Sequence, residues 1–277
     1  MTITPSQHLA ALALVVLDVV ARGVRICVLL PGSVLRAMAV NTCGDALAAV
    51  TPARLGGEPL RFLAFQRSGA TAPAVLAAFV TEVVVDAVMM IVIGVGLAPA
   101  FASVGLAWLT QVVQLAASPA GRRVTVAILA ALAFGGLVAF GVRRRWPPPL
   151  VQGSRDAWRI LSTRSPWVLA RVTVLTFVSM AARSAILPVL AAGVSGVSFG
   201  SLLAGSFVLG VMQALLPIPS GVGAVDLGFA ASFTGTLGGS DLARLLLVWR
   251  FYTIALGALV GMALLASSKR TSLAATP

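Results

Sequence analysis

The chain has 277 residues, of which 59% are hydrophobic and only 10% charged, and its mean hydropathy is +1.02. A soluble globule of this size cannot bury so much apolar surface and still cover itself with polar groups, which excludes a cytosolic enzyme, a disordered tail and a secreted disulfide scaffold. Twenty basic residues against eight acidic ones give a formal charge of +12. They cluster at the ends of apolar runs and in short loops, which points to positive-inside loops and anionic lipid headgroups and not to nucleic acid.

Apolar stretches of spanning length fall at 8–30, 72–97, 124–142, 167–192 and 242–266. Each supplies about 20 residues or more, enough for a hydrocarbon core of about 30 Å. Their continuity predicts helices, not the short alternating strands of a barrel. The first stretch lacks a positive n-region, so it does not read as a cleavable signal peptide. It carries Asp18 and Arg22 at i, i+4, a local pair near its end, with Arg25 beyond them. His8 stands alone, and Cys27 and Cys43 lack metal-ligand spacing and read as small packing residues.

Two further stretches, about 33–68 and 199–237, are apolar but interrupted. The first breaks at Thr51-Pro52-Ala53-Arg54-Leu55-Gly56-Gly57-Glu58, the second at Pro217-Ile218-Pro219-Ser220-Gly221-Val222-Gly223-Ala224-Val225-Asp226. Proline removes a backbone donor and glycine permits non-helical dihedrals, so a straight helix cannot run through either break. Each predicts a helix–turn–helix that enters the bilayer and leaves on the same side, shielded by protein or lining a wet cavity. Segment 101–117 is shorter; it either crosses or lies at the interface with Trp108 as anchor. In the loop 143–166, Arg143, Arg144, Arg145, Arg155, Arg159 and Arg164 face only Asp156. That loop should be cytoplasmic. Within it, 154–164 reads as an amphipathic surface helix, and Trp146, Trp158 and Trp167 read as interfacial anchors.

Counting outward from the basic loop, five spans put the N-terminus outside and leave Arg22, Arg25, Arg36, Arg54, Arg61 and Arg67 on the cytoplasmic side, with Arg122-Arg123 as the exception. Three spans then separate the two breaks, so their mouths open on opposite faces, a transporter-like arrangement. A faint internal repeat accompanies this. Phe65 follows Glu58 by seven residues and Phe233 follows Asp226 by seven; Glu82 follows Glu58 by 24 and Arg250 follows Asp226 by 24. The expected fold is an all-α, polytopic helical membrane protein: five full spans plus two re-entrant helical hairpins in an inverted-repeat-like arrangement. Residues 1–277 form one transmembrane domain. A first half-repeat covers about 8–97, connecting spans and the basic loop 98–166, a second half-repeat about 167–266, and a tail 267–277.

The run from Asn41 through Thr51 to Gly56-Gly57-Glu58-Pro59-Leu60-Arg61 resembles the Pro…Gly-Glu-x-x-Arg signature of the lysylphosphatidylglycerol synthase transmembrane-region family, whose members are described as flippase-like. Thr81-Glu82-Val83-Val84-Val85-Asp86 is similar to its next motif, and Pro217–Asp226 to its C-terminal Pro…Gly-x-Gly-x-x-Glu signature, with Asp226 in place of Glu. Arg250 falls where the family tends to carry an Arg on the last helix. The resemblance covers roughly residues 15–265. It implies membrane lipid handling, the translocation of a charged lipid or lipid-linked headgroup, in a bacterial cytoplasmic (inner) membrane. Only Ser267–Pro277 follow the last span, so the soluble aminoacyltransferase domain of the bifunctional members is not expected, nor is synthase activity.

The candidate headgroup-binding residues are Arg54, Gly56, Gly57, Glu58, Arg61, Gly221, Gly223, Asp226 and Arg250. A helix beginning after Gly56-Gly57 would offer free N–H groups and a positive dipole end, which with Arg54 and Arg61 can hold a phosphate; Glu58 equally reads as a cap of its own helix paired with an Arg. The glycines at the second break read as close backbone approach or as plain packing. Glu82 and Asp86 share one helix face, where like charges in a span are costly unless paired or protonated. With Arg183 or Arg250 they would form an intramembrane charge network, either a gated headgroup or proton pathway or a static staple between helices. Asn41 and Asp45, also at i, i+4, cap backbone freed by the break or touch substrate.

No Ser/His/Asp set, metal cluster, phosphate loop or dinucleotide fingerprint is present in the sequence, so neither a cofactor nor a metal is expected. The expected partners are membrane lipids with anionic or lipid-linked headgroups, with a second copy or a lipid-modifying enzyme as further candidates. The rival readings are an ion-coupled small-anion transporter using Glu82 or Asp86, a membrane-embedded transferase with a lipid-linked donor, and a non-transporting assembly partner.

Overall fold

The computed structural model describes residues 2–51, 56–117, 119, 148–194, 196–215, 229–230, 233 and 237–274, with backbone alone at 101–116, 148–154, 214–215 and 268–274. The expectations for Arg54, Gly221, Gly223, Asp226 and the stretch 124–142 lie outside these residues. All regular structure described is helical. Helix α1 runs Pro5–Leu29, started by a capping box between Thr4 and Gln7 and by Pro5 in the first turn. Helices α2 (Val34–Val50) and α3 (Gly57–Arg67) flank the first break. Helix α4 (Ala72–Ala117) is a continuous rod of 46 residues that passes through Pro99, so 101–117 continues the preceding segment instead of forming a separate element. Helices α5 (Pro148–Ser162), α6 (Pro166–Leu190) and α7 (Phe199–Leu215) follow. A last helical run comprises α8 (Gly239–Arg250), a π turn at Phe251–Ala255 and α9 (Leu256–Ala274).

Three described segments are long and apolar enough to cross a membrane: Ala72–Ala100, Pro166–Leu190 and Gly239–Ser267. They match three of the five expected spans. Helix α1 has the length, at 25 residues, but carries three charges in its second half. The surface of these helices is apolar. On α4, Val83, Val84, Val88, Ile91 and Val95 are exposed while Thr81, Glu82 and Met89 are buried. That is the inverse of a soluble helix and the arrangement lipid requires.

Helices α1 and α6 form the most extensive pair among the described elements, and they run antiparallel. Their register is read from hydrogen bonds: Gln7 Nε2 donates to Ala192 O (2.6 Å), Arg183 Nη2 to Asp18 Oδ2 (2.8 Å), Arg25 Nη1 to Thr176 Oγ1 (2.9 Å) and Arg164 Nη1 to Leu29 O (3.0 Å). The last bond satisfies a carbonyl at the end of α1 from the basic loop, setting that loop and the C-terminus of α1 at one level. Helix α2 returns along α1, and α3 returns along α2: Gly57 packs on Gly44 and Ala48, while Arg61 packs on Gly44 and bonds Asn41. The chain therefore reverses at the Thr51–Gly56 break, where Pro52 and the paired glycines predict it.

Two apolar clusters hold the bundle. One joins Ile26, Leu29, Ala37, Phe65, Val75 and Val172. The other joins Ala11, Ile186, Leu190, Leu209, Phe233, Leu245 and Trp249. On α1 the interval between Ala11 and Ile26 contains Asp18, Arg22 and Arg25; on α6 the interval between Val172 and Ile186 contains Thr176, Ser179 and Arg183. A charged layer is thus sandwiched between two oily ones.

Candidate functional site

Helical spacing builds this layer. Asp18, Arg22 and Arg25 lie at i, i+4, i+7 on α1; Thr176, Ser179 and Arg183 at i, i+3, i+7 on α6; Glu82 and Asp86 at i, i+4 on α4; Asn41 and Asp45 at i, i+4 on α2; Ser206 and Gln213 at i, i+7 on α7. Each set occupies one face of its helix, and the faces converge. The layer lies near the middle of α1 and of two of the candidate spans. Asp18 is next to the midpoint of Pro5–Leu29, Asp86 is the midpoint of Ala72–Ala100, and Thr176 and Ser179 straddle that of Pro166–Leu190.

Glu82, only 3% exposed, joins two arginines: Arg25 Nε donates to its Oε1 (2.9 Å) and Arg61 Nη2 to its Oε2 (2.6 Å). Arg25 is also buried and gives Nη1 to Asp86 Oδ1 and to Thr176. All three nitrogens of Arg61 are engaged, Nε by Asn41 Oδ1 (2.9 Å), Nη1 by Glu58 and Nη2 by Glu82, and its guanidinium stacks over Phe79 with 4.7 Å to the ring centre. On the other side, Asp18 accepts from Ser179 Oγ and from Arg183 Nη2, with Arg22 Nε at 3.5 Å; Arg22 Nη1 reaches Asp45 Oδ2 at 2.8 Å. Five carboxylates (Asp18, Asp45, Glu58, Glu82, Asp86) face four guanidiniums (Arg22, Arg25, Arg61, Arg183), one formal negative charge in excess. In a low-dielectric interior this pairing is what makes the charges tolerable, since an isolated one would cost several kcal/mol.

The layer borders a cavity of about 270 Å³, lined among others by Arg22, Arg25, Arg61, Arg183, Asp86 and Gln213. Ser206 Oγ and Gln213 Nε2, both on its wall, are buried and have no hydrogen-bond partner among the described residues. Arg22, Asp45 and Arg183 also line a smaller pocket of about 30 Å³, which Asp18, Val15, Ile186 and the π turn at Tyr252–Ile254 border. The Arg22–Asp45 and Arg183–Asp18 pairs therefore stand as a partition between the two spaces. The smaller one has room for about a single water. Tyr252 Oη, beyond it, pairs with His8 Nδ1 at 2.9 Å.

Several sequence expectations change. Glu82 and Asp86 take Arg25 and Arg61 as partners instead of Arg183 or Arg250: these two long side chains reach α4 from α1 and α3, while Arg183 goes to Asp18. Arg22, Arg25 and Arg61, expected at a membrane face by charge counting, reside in the central layer. Asp18–Arg22 is a pair, but Asp18 spends its shortest bonds on α6. Asn41 accepts from Arg61 and Asp45 pairs with Arg22. Glu58 bonds Arg61 without capping α3, whose N-cap is Gly56. Gly56 N–H instead donates to Thr51 Oγ1 (2.9 Å), and Gly57 allows α3 to touch α2. Arg250 sits at the junction of α8 and the π turn and is not among the cavity-lining residues. Arg25, Thr176, Ser179, Ser206 and Gln213 join the layer and the cavity wall beyond the residues the sequence predicts. Their signal was present in the seven-residue polar spacing on each apolar helix. Among the described residues no group of three or more His, Cys, Asp or Glu side chains is placed to hold a metal ion.

No curated protein matches this sequence. The family model described as the lysylphosphatidylglycerol synthase TM region matches residues 1–261. An apolar helical bundle with the Gly56-Gly57-Glu58-Pro59-Leu60-Arg61 turn folded onto a buried Glu82–Asp86 helix is thus accompanied by a match over nearly the whole chain, and the protein is an integral membrane member of the lysylphosphatidylglycerol synthase transmembrane-region family.

Proposed function

We propose that this protein binds the charged headgroup of a phospholipid or lipid-linked donor in the central cavity and carries it across the bilayer while the acyl chains remain in lipid. One observation carries the reading: a polar cavity of about 270 Å³ with four arginines on its wall lies at the midpoint of apolar helices. A purely structural bundle has no use for a roomy polar centre, which lipid-facing helices normally avoid. The α2–α3 pair supports a re-entrant arrangement. Asp45 stands level with Arg22. Helix α2 ends five residues further, about 8 Å on, near the level of the midpoint of α1. At 17 and 11 residues, about 25 Å and 16 Å, α2 and α3 each fall short of a hydrocarbon core of about 30 Å.

In this mechanism Arg61 is the first contact for a phosphate. Glu58 is the exposed member of its set, with 58% of its side chain accessible, and is the carboxylate that an incoming phosphate displaces from Arg61 Nη1. Glu82 and Asn41 keep the guanidinium oriented during the exchange. Release reverses it as Glu58 returns. We propose that the second hairpin, with Gly221, Gly223 and Asp226, supplies the matching contacts from the opposite face, with Arg250 following on the last helical run.

The test is translocation of a head-labelled fluorescent phospholipid in proteoliposomes, read by dithionite quenching. The protein should accelerate exchange between leaflets over protein-free vesicles, and equal rates would overturn the reading. Glu58→Ala should fold normally, bind the headgroup about five- to tenfold more tightly and turn over more slowly, because the competitor for Arg61 is gone. A second reading, an ion-coupled carrier of a small anion, is favoured by Asp86. This mid-span carboxylate faces the cavity with 31% of its side chain accessible. Uptake of a soluble anion that depends on a pH gradient, and is lost in Asp86→Asn, would select it.

A further inference from the structure

The cavity has two unlike walls. Along α1, α3 and α6 it carries guanidiniums, each paired with a carboxylate, although Arg22 Nε makes no hydrogen bond of its own. Along α7 its donors are neutral and idle. Ser206 is 2% exposed and Gln213 is 7% exposed, yet Ser206 Oγ and Gln213 Nε2 meet no acceptor among the described residues. A buried donor left unmade costs free energy, and native proteins leave few of them, so one that faces a cavity implies a partner that comes and goes. Between them on the same face lies Gly210. A Cβ built there would meet nothing within 4 Å among the described residues, and Gly210 itself lines the cavity, so this strip borders its space.

We infer that this strip of α7 is a second recognition subsite, one that takes the uncharged, hydroxyl-rich part of the headgroup, a polyol or a sugar. The inference rests on the reading of the cavity as a headgroup site and deepens it. Charge sets the class. Two neutral donors bring no counter-charge, whereas a phosphate at this depth needs a cation beside it, and the cations are on the other walls. Spacing agrees. Ser206 and Gln213 are two turns apart, about 10 Å along the axis, which suits a group carrying several oxygens along its length. A hydroxyl-bearing group can also return hydrogen bonds to the carboxylate side of the cavity, where Asp45 and Asp86 stand. The phosphate then lies toward Arg61 and the polyol toward α7.

Native mass spectrometry of the purified full chain tests this with two probes of identical acyl chains and equal phosphate charge: phosphatidylinositol, which bears a polyol, and phosphatidylmethanol, which bears none. Wild-type protein should retain phosphatidylinositol about tenfold better, as expected for two hydrogen bonds to a buried site. In Ser206→Ala/Gln213→Leu the preference should fall below about twofold, with phosphatidylmethanol retention unchanged. Gly210→Val puts its side chain into the cavity, where no described residue lies within 4 Å of the new Cβ, so it should keep wild-type thermal stability and lose the preference by volume alone. It covers the case in which the double variant fails to fold. Equal retention of the two lipids by wild type, or a preference that survives in both variants, overturns the subsite. Translocation without a polyol preference removes the subsite alone; a polyol preference without translocation removes the transport reading alone.

Discussion

Arg25→Met should be the most damaging single substitution among the described residues, with an expected loss of about 3–5 kcal/mol. Arg25 is the one side chain that touches Glu82, Asp86 and Thr176 together, linking α1 to α4 and α6. Without it, Asp86 loses its ion-pair partner and Glu82 keeps only Arg61. Two carboxylates one turn apart at mid-helix then repel across a low-dielectric gap. The loss is thus mostly the cost of stranded charge and not the worth of the pair. That distinction is measurable. Arg25→Met/Glu82→Gln/Asp86→Asn removes the charges along with their partner and should recover most of the stability, while Arg61 retains Glu58 and Asn41. Thermal unfolding in detergent reports both. A single variant as stable as wild type, or a triple variant no better than the single, would show that the layer is not held by charge pairing.

How much of this was legible in the sequence depends on the period of the signal. Spanning helices were legible because apolar runs as long as a bilayer is thick have few other solutions. The first break was legible because Pro52, Gly56 and Gly57 forbid a straight helix; α2 ends at Val50 and α3 starts at Gly57. The charge partners were not. Glu82 and Asp86 announce by their spacing that they share a face, yet which arginine meets that face is decided by which long side chains reach it from α1 and α3, a long-range property. Charge counting misled in a specific way. Arg22, Arg25 and Arg61 look like loop-end arginines when counted along the chain, but on a helix Arg22 and Arg25 continue the face opened by Asp18, and Arg61 turns inward because α3 folds back on α2. The neutral members, Thr176, Ser179, Ser206 and Gln213, are quieter still. They matter only through what faces them.

Gly57→Ala should cost more than its size suggests. Its new Cβ would stand 2.7 Å from the carbonyl oxygen of Gly44 and 3.2 Å from the Cβ of Ala48. The first neighbour is backbone and cannot step aside, so α3 must move away from α2. Overpacking of this kind costs about 1–3 kcal/mol by itself. The displacement also draws Arg61, one turn along, off Asn41 and Glu82, and so carries the damage into the charged layer. Gly32→Ala is the natural control, since a Cβ there meets nothing within 4 Å among the described residues; it should be neutral within about 0.5 kcal/mol. A double-mutant cycle separates the two parts of the loss. If the harm passes through Arg61, Gly57→Ala should cost less in an Arg61→Gln background than in wild type, with a coupling of about 0.5–3 kcal/mol. Strict additivity would confine the effect to helix contact. The paired glycines would then serve the turn alone, and the tie between the break in α2–α3 and the central cavity would be lost.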